Sequence, residues 1–517
     1  MRTRLTLAAT AAAVLLLAQP ATAGSAPFGA PGVGDPYYPD YGNGGYDVSH
    51  YDLRLTYQPA TDQLSGTATI LATTTETLAR FNLDFALAVQ EVQVNGRQAR
   101  FAATGDHELE ITPATPLAKG KKVTVVVRYA DVPSTKKVYG WTGWLRTPDG
   151  GVAANEPEGS WWWYPSNDHP TDKATFDVSV NVPDGTQAIS NGALVGQSSK
   201  LGWTRYSWRQ TSPQATYLAT LAVGKFDLDA GGNTTAAGVP VITAYSRDLG
   251  ENESAARASV ERTGEITDYL ATLFGPYPFA TVGGYVPNTQ TRYALETQGQ
   301  VYYSPKIFAA GSNTSIVVHE LAHQWYGDSV SLERWSDIWL NEGFARYAQW
   351  LWSEHEGEGT AQELADWTYA SRPAEDPWWQ VLPGDPGPDN QFHSAVYDRG
   401  ALAVQALRNA VGEQAFFRIL RGWPTEHRHG NATLADFRAY AERISGKPLG
   451  ALLDSWLLTP GRPAPGTATS PTPTTAPTTA LTTAPPTARS GLRPATAPQE
   501  PKSWQKIKAT DEAHHDH

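Results

Sequence analysis

His319-Glu320-Leu321-Ala322-His323 sets two imidazoles four residues apart, and Glu342 follows after eighteen intervening residues. Around an α-helix, residues i and i+4 stand about 40° apart, so both rings face one point. Two such imidazoles, with a carboxylate from a second helix, fill three of the four positions of a tetrahedral zinc ion. The fourth stays open to water, which distinguishes a catalytic zinc from a structural one. Glu320 projects toward the same side without being a ligand and suits a general base. In this reading one zinc ion per chain lowers the pKa of its bound water and polarises the carbonyl under attack. Glu320 takes the proton from that water and passes it to the leaving amine.

Two helices must present these groups. The spacing predicts a zinc helix from Ser312-Asn313 to a C-cap at Gly327. The next helix, capped by Ser336 or Asp337, runs through Glu342 and Phe344 to about Trp352. Residues 254–274 read as one helix ending before Gly275-Pro276, preceded by a strand over 239–245. Later helical patterns cover 397–411, 414–421, 433–444 and 449–457.

The first half of the chain has a different period. Tyr51, Leu53, Leu55 and Tyr57 alternate with polar residues, as do Phe176, Val178, Val180 and Val182 before Pro183-Asp184-Gly185. Asn95-Gly96 signals a hairpin between 92–94 and 98–101, and 123–129 reads as a more buried strand. Residues 45–230 are expected to form one antiparallel sheet. The resulting division is 24–235 for the β-sheet domain and 236–462 for the catalytic domain. Residues 463–517 form a Thr/Pro/Ala-rich tail expected to be disordered.

Residues 1–23 read as a signal peptide: Arg2 and Arg4, an apolar run over 5–18, then Ala21-Thr22-Ala23 before Gly24. No later stretch approaches twenty apolar residues, so the expectation is an exported protein, secreted or retained in the cell wall, without membrane insertion. With no cysteine among 517 residues, neither disulfides nor thiolate ligands are available. A formal charge of −12 argues against nucleic acid as a partner. Oligomeric state leaves no mark in the sequence.

The His-Glu-Leu-Ala-His and Trp339-Leu340-Asn341-Glu342-Gly343-Phe344-Ala345 segments, with Tyr164-Pro165-Ser166-Asn167-Asp168-His169-Pro170, resemble the gluzincin aminopeptidases, the family of aminopeptidase N and leukotriene hydrolase. The resemblance covers about 35–462. It implies a saddle-like β domain followed by a thermolysin-like, mainly helical zincin domain with a small sheet. It also implies zinc ligands His319, His323 and Glu342, with Glu320 as base.

The family's Gly-Ala-Met-Glu-Asn segment corresponds to Tyr293-Ala294-Leu295-Glu296-Thr297. A carboxylate at Glu296 would match the α-ammonium of a substrate drawn out of water, which makes peptides with a free N-terminus the expected substrates. Glu156 in Asn155-Glu156-Pro157 is expected to share that ammonium from the β domain, putting the site between domains. Tyr397 in Tyr397-Asp398-Arg399-Gly400 resembles the family tyrosine that donates to the developing oxyanion.

Two departures stand out. Gln349 stands where the family often has an acidic partner for a zinc histidine, and the low-complexity stretch after Leu457 leads to the expectation of a minimal two-domain member without the family's long C-terminal helical domain. Leu295 is expected to shape the first side-chain pocket. The function expected is a secreted zinc aminopeptidase. The alternatives are a hydrolase of another bond, such as an epoxide, and an exported binding or scaffold protein that keeps the fold without turnover.

Overall fold

The computed structural model describes residues 27–464 and 498–514. The expected signal peptide lies outside the described residues, as does most of the Thr/Pro/Ala stretch (465–497). Among the described residues no helix is long and apolar enough to cross a membrane.

The β domain holds three sheets where one was expected. The largest has eight strands in the spatial order Ala193–Lys200, Trp203–Gln214, Ala174–Pro183, Tyr46–Gln58, Gln63–Thr74, Lys122–Asp131, Val89–Val94 and Arg97–Gln98. It is mixed rather than antiparallel, because Tyr46–Gln58 runs parallel to Ala174–Pro183 with Leu53 opposite Val178. Alternation of apolar and polar residues reports which face is buried but not which strand lies alongside or its direction. Asn95 and Gly96 take positive φ at the hairpin turn as expected, but Arg100–Thr104 leaves for a three-stranded sheet with Glu108–Thr112 and Phe81–Asp84.

The chain changes units just before Phe226. The strand Phe226–Thr234 pairs with Pro240–Ser246, in a five-stranded sheet completed by Val282–Val286, Val301–Tyr303 and Ala294–Leu295 at the edge. Helices α1 (Glu253–Val260) and α2 (Thr263–Phe274) replace the single helix expected there. Next come α3 (Thr314–His323), α4 (Trp339–Glu356) and α5 (Ala361–Ala370). The remaining helices of this unit are α6 (Ser394–Val411), α7 (Glu413–Glu426), α8 (Leu434–Ser445) and α9 (Gly450–Leu457). Helix α5 escaped the apolar pattern, although Thr360 and Glu363 form a reciprocal capping box at its start.

The tail also departs from expectation. A final helix, α10 (Trp504–His514), packs beside α3 and α4 instead of remaining disordered. Ile507 is fully buried, Ser503 Oγ lies 2.6 Å from Ser353 Oγ, and Asn313 Nδ2 donates to the Lys506 carbonyl. Ile507, these hydrogen bonds and the Lys506–Glu358 ion pair fix a segment whose composition suggested no structure.

Several ties join the two domains. The Lys173 ammonium donates to the carbonyls of Asp328, Ser329 and Gly430 at 2.9–3.1 Å. Asp35, from the N-terminal strap, lies 3.3 Å from His169 Nε2 and accepts from the Trp335 amide. Tyr38 OH donates to Gln391.

Candidate active site

Helix α3 begins where Asn313 Oδ1 accepts from the Ser315 amide. Every residue from Ser315 to His323 is buried, so the imidazoles face the interior. The regular helix ends at His323 rather than Gly327, and the Trp325 and Tyr326 amides both turn back to Ala322. That turn brings the Tyr326 carbonyl within 3.1 Å of His323 Nδ1, leaving Nε2 to face the site.

Glu342 sits in the first turn of α4. Its Oε2 lies 3.1 Å from His319 Nε2 and 3.5 Å from His323 Nε2. Donor atoms of one tetrahedral zinc, each about 2.0–2.1 Å from the metal, are separated by about 3.3 Å, so these three fit a single ion. Gln349, two turns along α4, settles the position where an acid was expected. Its Nε2 donates to Ser315 Oγ and the Ser315 carbonyl, which turns Oε1 toward His319 Nδ1 at 3.2 Å. A neutral amide therefore fixes the His319 ring as a carboxylate would, without adding charge.

The electrostatics also suit a cation. Burial holds the His319 imidazole down to about 4, in the neutral form that ligates. Burial works against charge on Glu342 too, but His323 and His319 override it and keep the carboxylate ionised. Burial would likewise discharge His323, yet Glu342, Glu296 and Glu320 around it draw a proton onto it. A divalent ion would take the place of that proton. Glu320 is buried and its carboxyl is pushed well above the ordinary range, suited to accepting protons near neutrality.

Glu296 follows the edge strand Ala294–Leu295, and its carboxylate lies within 4.8 Å of the donor atoms of His323 and Glu320. Gln324 Nε2 donates to its carbonyl, anchoring the backbone against the end of α3. Glu156 comes from the β domain and is buried. Each of the two carboxylates has an oxygen, Glu296 Oε1 and Glu156 Oε1, that meets no donor. Burial raises both, and Glu296 is the charge that acts most on Glu156. Glu156 also lines a cavity of about 780 Å³ between the domains, whose wall includes Tyr41, Trp141, Tyr293, Phe392 and His393.

Tyr397 reaches the site from α6, its ring stacked 5.9 Å from that of His319. Burial and the Glu342 charge hold its phenol protonated far above neutral pH, so it is a donor. The crossing of α4 and α6 places it there. A Cβ on Gly400 would meet Gly343 Cα at 3.0 Å, and one on Gly343 would meet Gly400 Cα at 3.2 Å. The glycine after Glu342 thus packs on the glycine one turn beyond Tyr397.

Two other residues of this tetrapeptide were not singled out from the sequence. Asp398 pairs with the fully buried Arg346, Oδ1 to Nε 3.3 Å, and Arg346 Nη1 donates to the Ile507 carbonyl of the C-terminal segment. Arg399 donates to the carbonyls of Trp379, Val381, Trp456 and Thr459. Arg346 lies four residues after Glu342, on the same helical face, and that spacing was the available signal.

Comparison with known proteins gives consistent matches. The model of the Peptidase family M1 domain matches residues 260–456, and that of the Peptidase M1 N-terminal domain matches 48–218. Aminopeptidase M1-D of Oryza sativa subsp. japonica is 26% identical over 324 residues, covering 59% of this chain and 36% of the relative. Aminopeptidase M1 of Arabidopsis thaliana is 27% identical over 334 residues, with 60% and 37% covered. The chain thus spans little more than a third of these relatives. A crystal structure of an M1 zinc metallopeptidase variant from Deinococcus radiodurans, bound to the substrate Tyr-Ser-Ala, superposes with TM-score 0.74 at 31% identity. That match covers 84% of this chain and all of the other.

Proposed function

Because the chain belongs to peptidase family M1, we propose that it is a zinc-dependent aminopeptidase that removes N-terminal residues from peptides. The carrying observation is the pair of buried carboxylates, Glu296 and Glu156, each with an oxygen lacking a donor, beside the His319, His323 and Glu342 cluster. An α-ammonium supplies the missing donors and the compensating charge. An internal peptide nitrogen carries no charge and at most one N–H, too few for two carboxylates, so the site favours chain ends.

When held by His319, His323 and Glu342, one zinc ion supplies Lewis-acid polarisation of the scissile carbonyl and acidifies water. Glu320 accepts the proton of the attacking water on its carboxylate and returns it to the departing amine nitrogen. Tyr397 OH donates to the carbonyl oxygen as negative charge builds there, without a net change in its own charge. Gln349 and the Tyr326 carbonyl hold the two imidazoles in orientation. The side chain of the first residue enters the cavity beside Glu156, near Tyr293 and Trp141; Leu295, expected to shape that pocket, is buried in the core instead. Export is part of the same proposal, resting on Arg2, Arg4 and the apolar run over residues 5–18.

A panel of aminoacyl fluorogenic substrates, with and without chelator and in free and N-acetylated form, tests this reading. Chelator-sensitive release from free amines alone is expected. Efficient cleavage of acetylated substrates would reassign the site to internal bonds.

A further inference from the structure

A second group of metal-binding side chains lies in the β domain, apart from the catalytic residues. Asp84 ends the strand Phe81–Asp84 and stands directly across from Glu108, the first residue of Glu108–Thr112. Two carboxylates facing each other across a strand pair repel, and burial strengthens the repulsion. Asp84 is fully buried. Among the described residues neither acid pairs with a lysine or arginine; the basic group facing both is His107, 3.5 Å from Asp84 Oδ1 and 3.8 Å from Glu108 Oε1. Burial lowers His107, stacked on Trp161 at 3.9 Å, toward the neutral imidazole.

The hydrogen bonds divide each carboxylate in two. Asp84 Oδ2 accepts from Asn43 Nδ2 and the Asp168 amide, and Glu108 Oε2 accepts from Asn82 Nδ2. Their other oxygens, Asp84 Oδ1 and Glu108 Oε1, have no donor and turn toward His107. His107 Nε2 also lies 3.3 Å from the Asp40 carbonyl oxygen. His107 Nε2 thus has the Asp84 and Glu108 oxygens and the Asp40 carbonyl oxygen all within 3.8 Å, each carboxylate steadied from behind. The donor atoms of Asp84, His107 and Glu108 all lie within 4.8 Å of one another.

We propose that Asp84, His107, Glu108 and the Asp40 carbonyl bind a second divalent metal ion, Zn²⁺ or Mn²⁺, which stabilises the β domain and takes no part in hydrolysis. Mixed imidazole and oxygen donors suit these two ions, and the absence of thiolate disfavours softer ones. An ion there would take the place of the proton that burial and the facing Glu108 charge draw onto Asp84.

The test is metal content of the purified full chain by mass spectrometry, after dialysis against Zn²⁺ or Mn²⁺ and removal of excess metal. Two equivalents are expected for the native chain. Glu108→Gln and His107→Ala should each hold one, and His323→Ala, which damages only the catalytic site, should also hold one. Near-UV circular dichroism identifies a variant that has failed to fold, and the nearly isosteric Glu108→Gln is the decisive one. A native chain that never exceeds one equivalent, lost in His323→Ala, overturns the second site and leaves the catalytic reading intact. A folded Glu108→Gln that keeps two overturns it as well. No metal retained at the catalytic site in Glu108→Gln would instead count against the catalytic assignment.

Discussion

In Gly400→Ala the added methyl would stand 3.0 Å from Gly343 Cα, well inside ordinary contact of about 3.5–4.0 Å. Both partners are helix backbone, so relief comes only by moving α4 and α6 apart, by about 0.5 Å or more. Overpacking of this kind costs about 1–3 kcal/mol, while replacing glycine by alanine within a helix returns about 1. The net loss of stability is then about 0–2 kcal/mol, a fall of a few degrees in Tm. Catalysis should suffer more, because α6 carries Tyr397 and α4 carries Glu342, and their separation is the separation of a proton donor from the metal centre. Misplacement approaching 1 Å costs up to about 100-fold, so kcat should fall about 10- to 100-fold with KM changed little. Steady-state kinetics on an aminoacyl substrate, with thermal melting on the same sample, gives both numbers. A melting temperature lowered as expected with kcat within twofold of the native value would refute the idea that this contact positions the phenol.

Other outcomes follow from the same geometry. Glu320→Gln should retain its metal and lose kcat about 1,000-fold, read by metal analysis alongside kinetics; full activity would remove Glu320 as the base. Glu296→Ala should lower kcat/KM for free-amine substrates by about 100-fold or more and leave the slow background on acetylated ones unchanged; equal losses on both would mean a general structural role. Truncation after residue 497 should lower Tm by several degrees, since it uncovers the pocket of Ile507 and removes the carbonyl that Arg346 holds; an unchanged melting curve would show that the segment contributes nothing. Burial raises Asp172 and Glu158 each to about 8, so the folded chain binds more protons than the unfolded chain between about pH 4 and 8. Stability is therefore greatest at the acid end of that window and falls as pH rises through it, and Glu158→Gln should flatten the fall in a Tm-against-pH series.

The pairing of His319 with His323 was legible because helical spacing alone makes them neighbours, and Glu342 was placed beside them by the motif spacing. Glu296, Glu156 and Tyr397 were not, since single residues carry no periodicity; only family resemblance pointed to them. Gln349 looked like a defect in sequence and proves to be a partner, because Ser315 turns its amide, a relation between two helices. Alternation marked the strands correctly yet could not reveal that Tyr46–Gln58 and Ala174–Pro183 run parallel, which depends on a connection more than a hundred residues long. The C-terminal helix was missed for a different reason. Its grip on the protein rests on Ile507, Trp504 and a few backbone bonds, too little apolar content to register in composition.

Lys173 extends from one lobe into three carbonyl oxygens of the other, in a seam with little access to water. Rocking the lobes apart would exchange those three carbonyls for water, so the contact favours the closed seam. Holding that seam together also keeps Glu156 of one lobe beside Glu296 of the other.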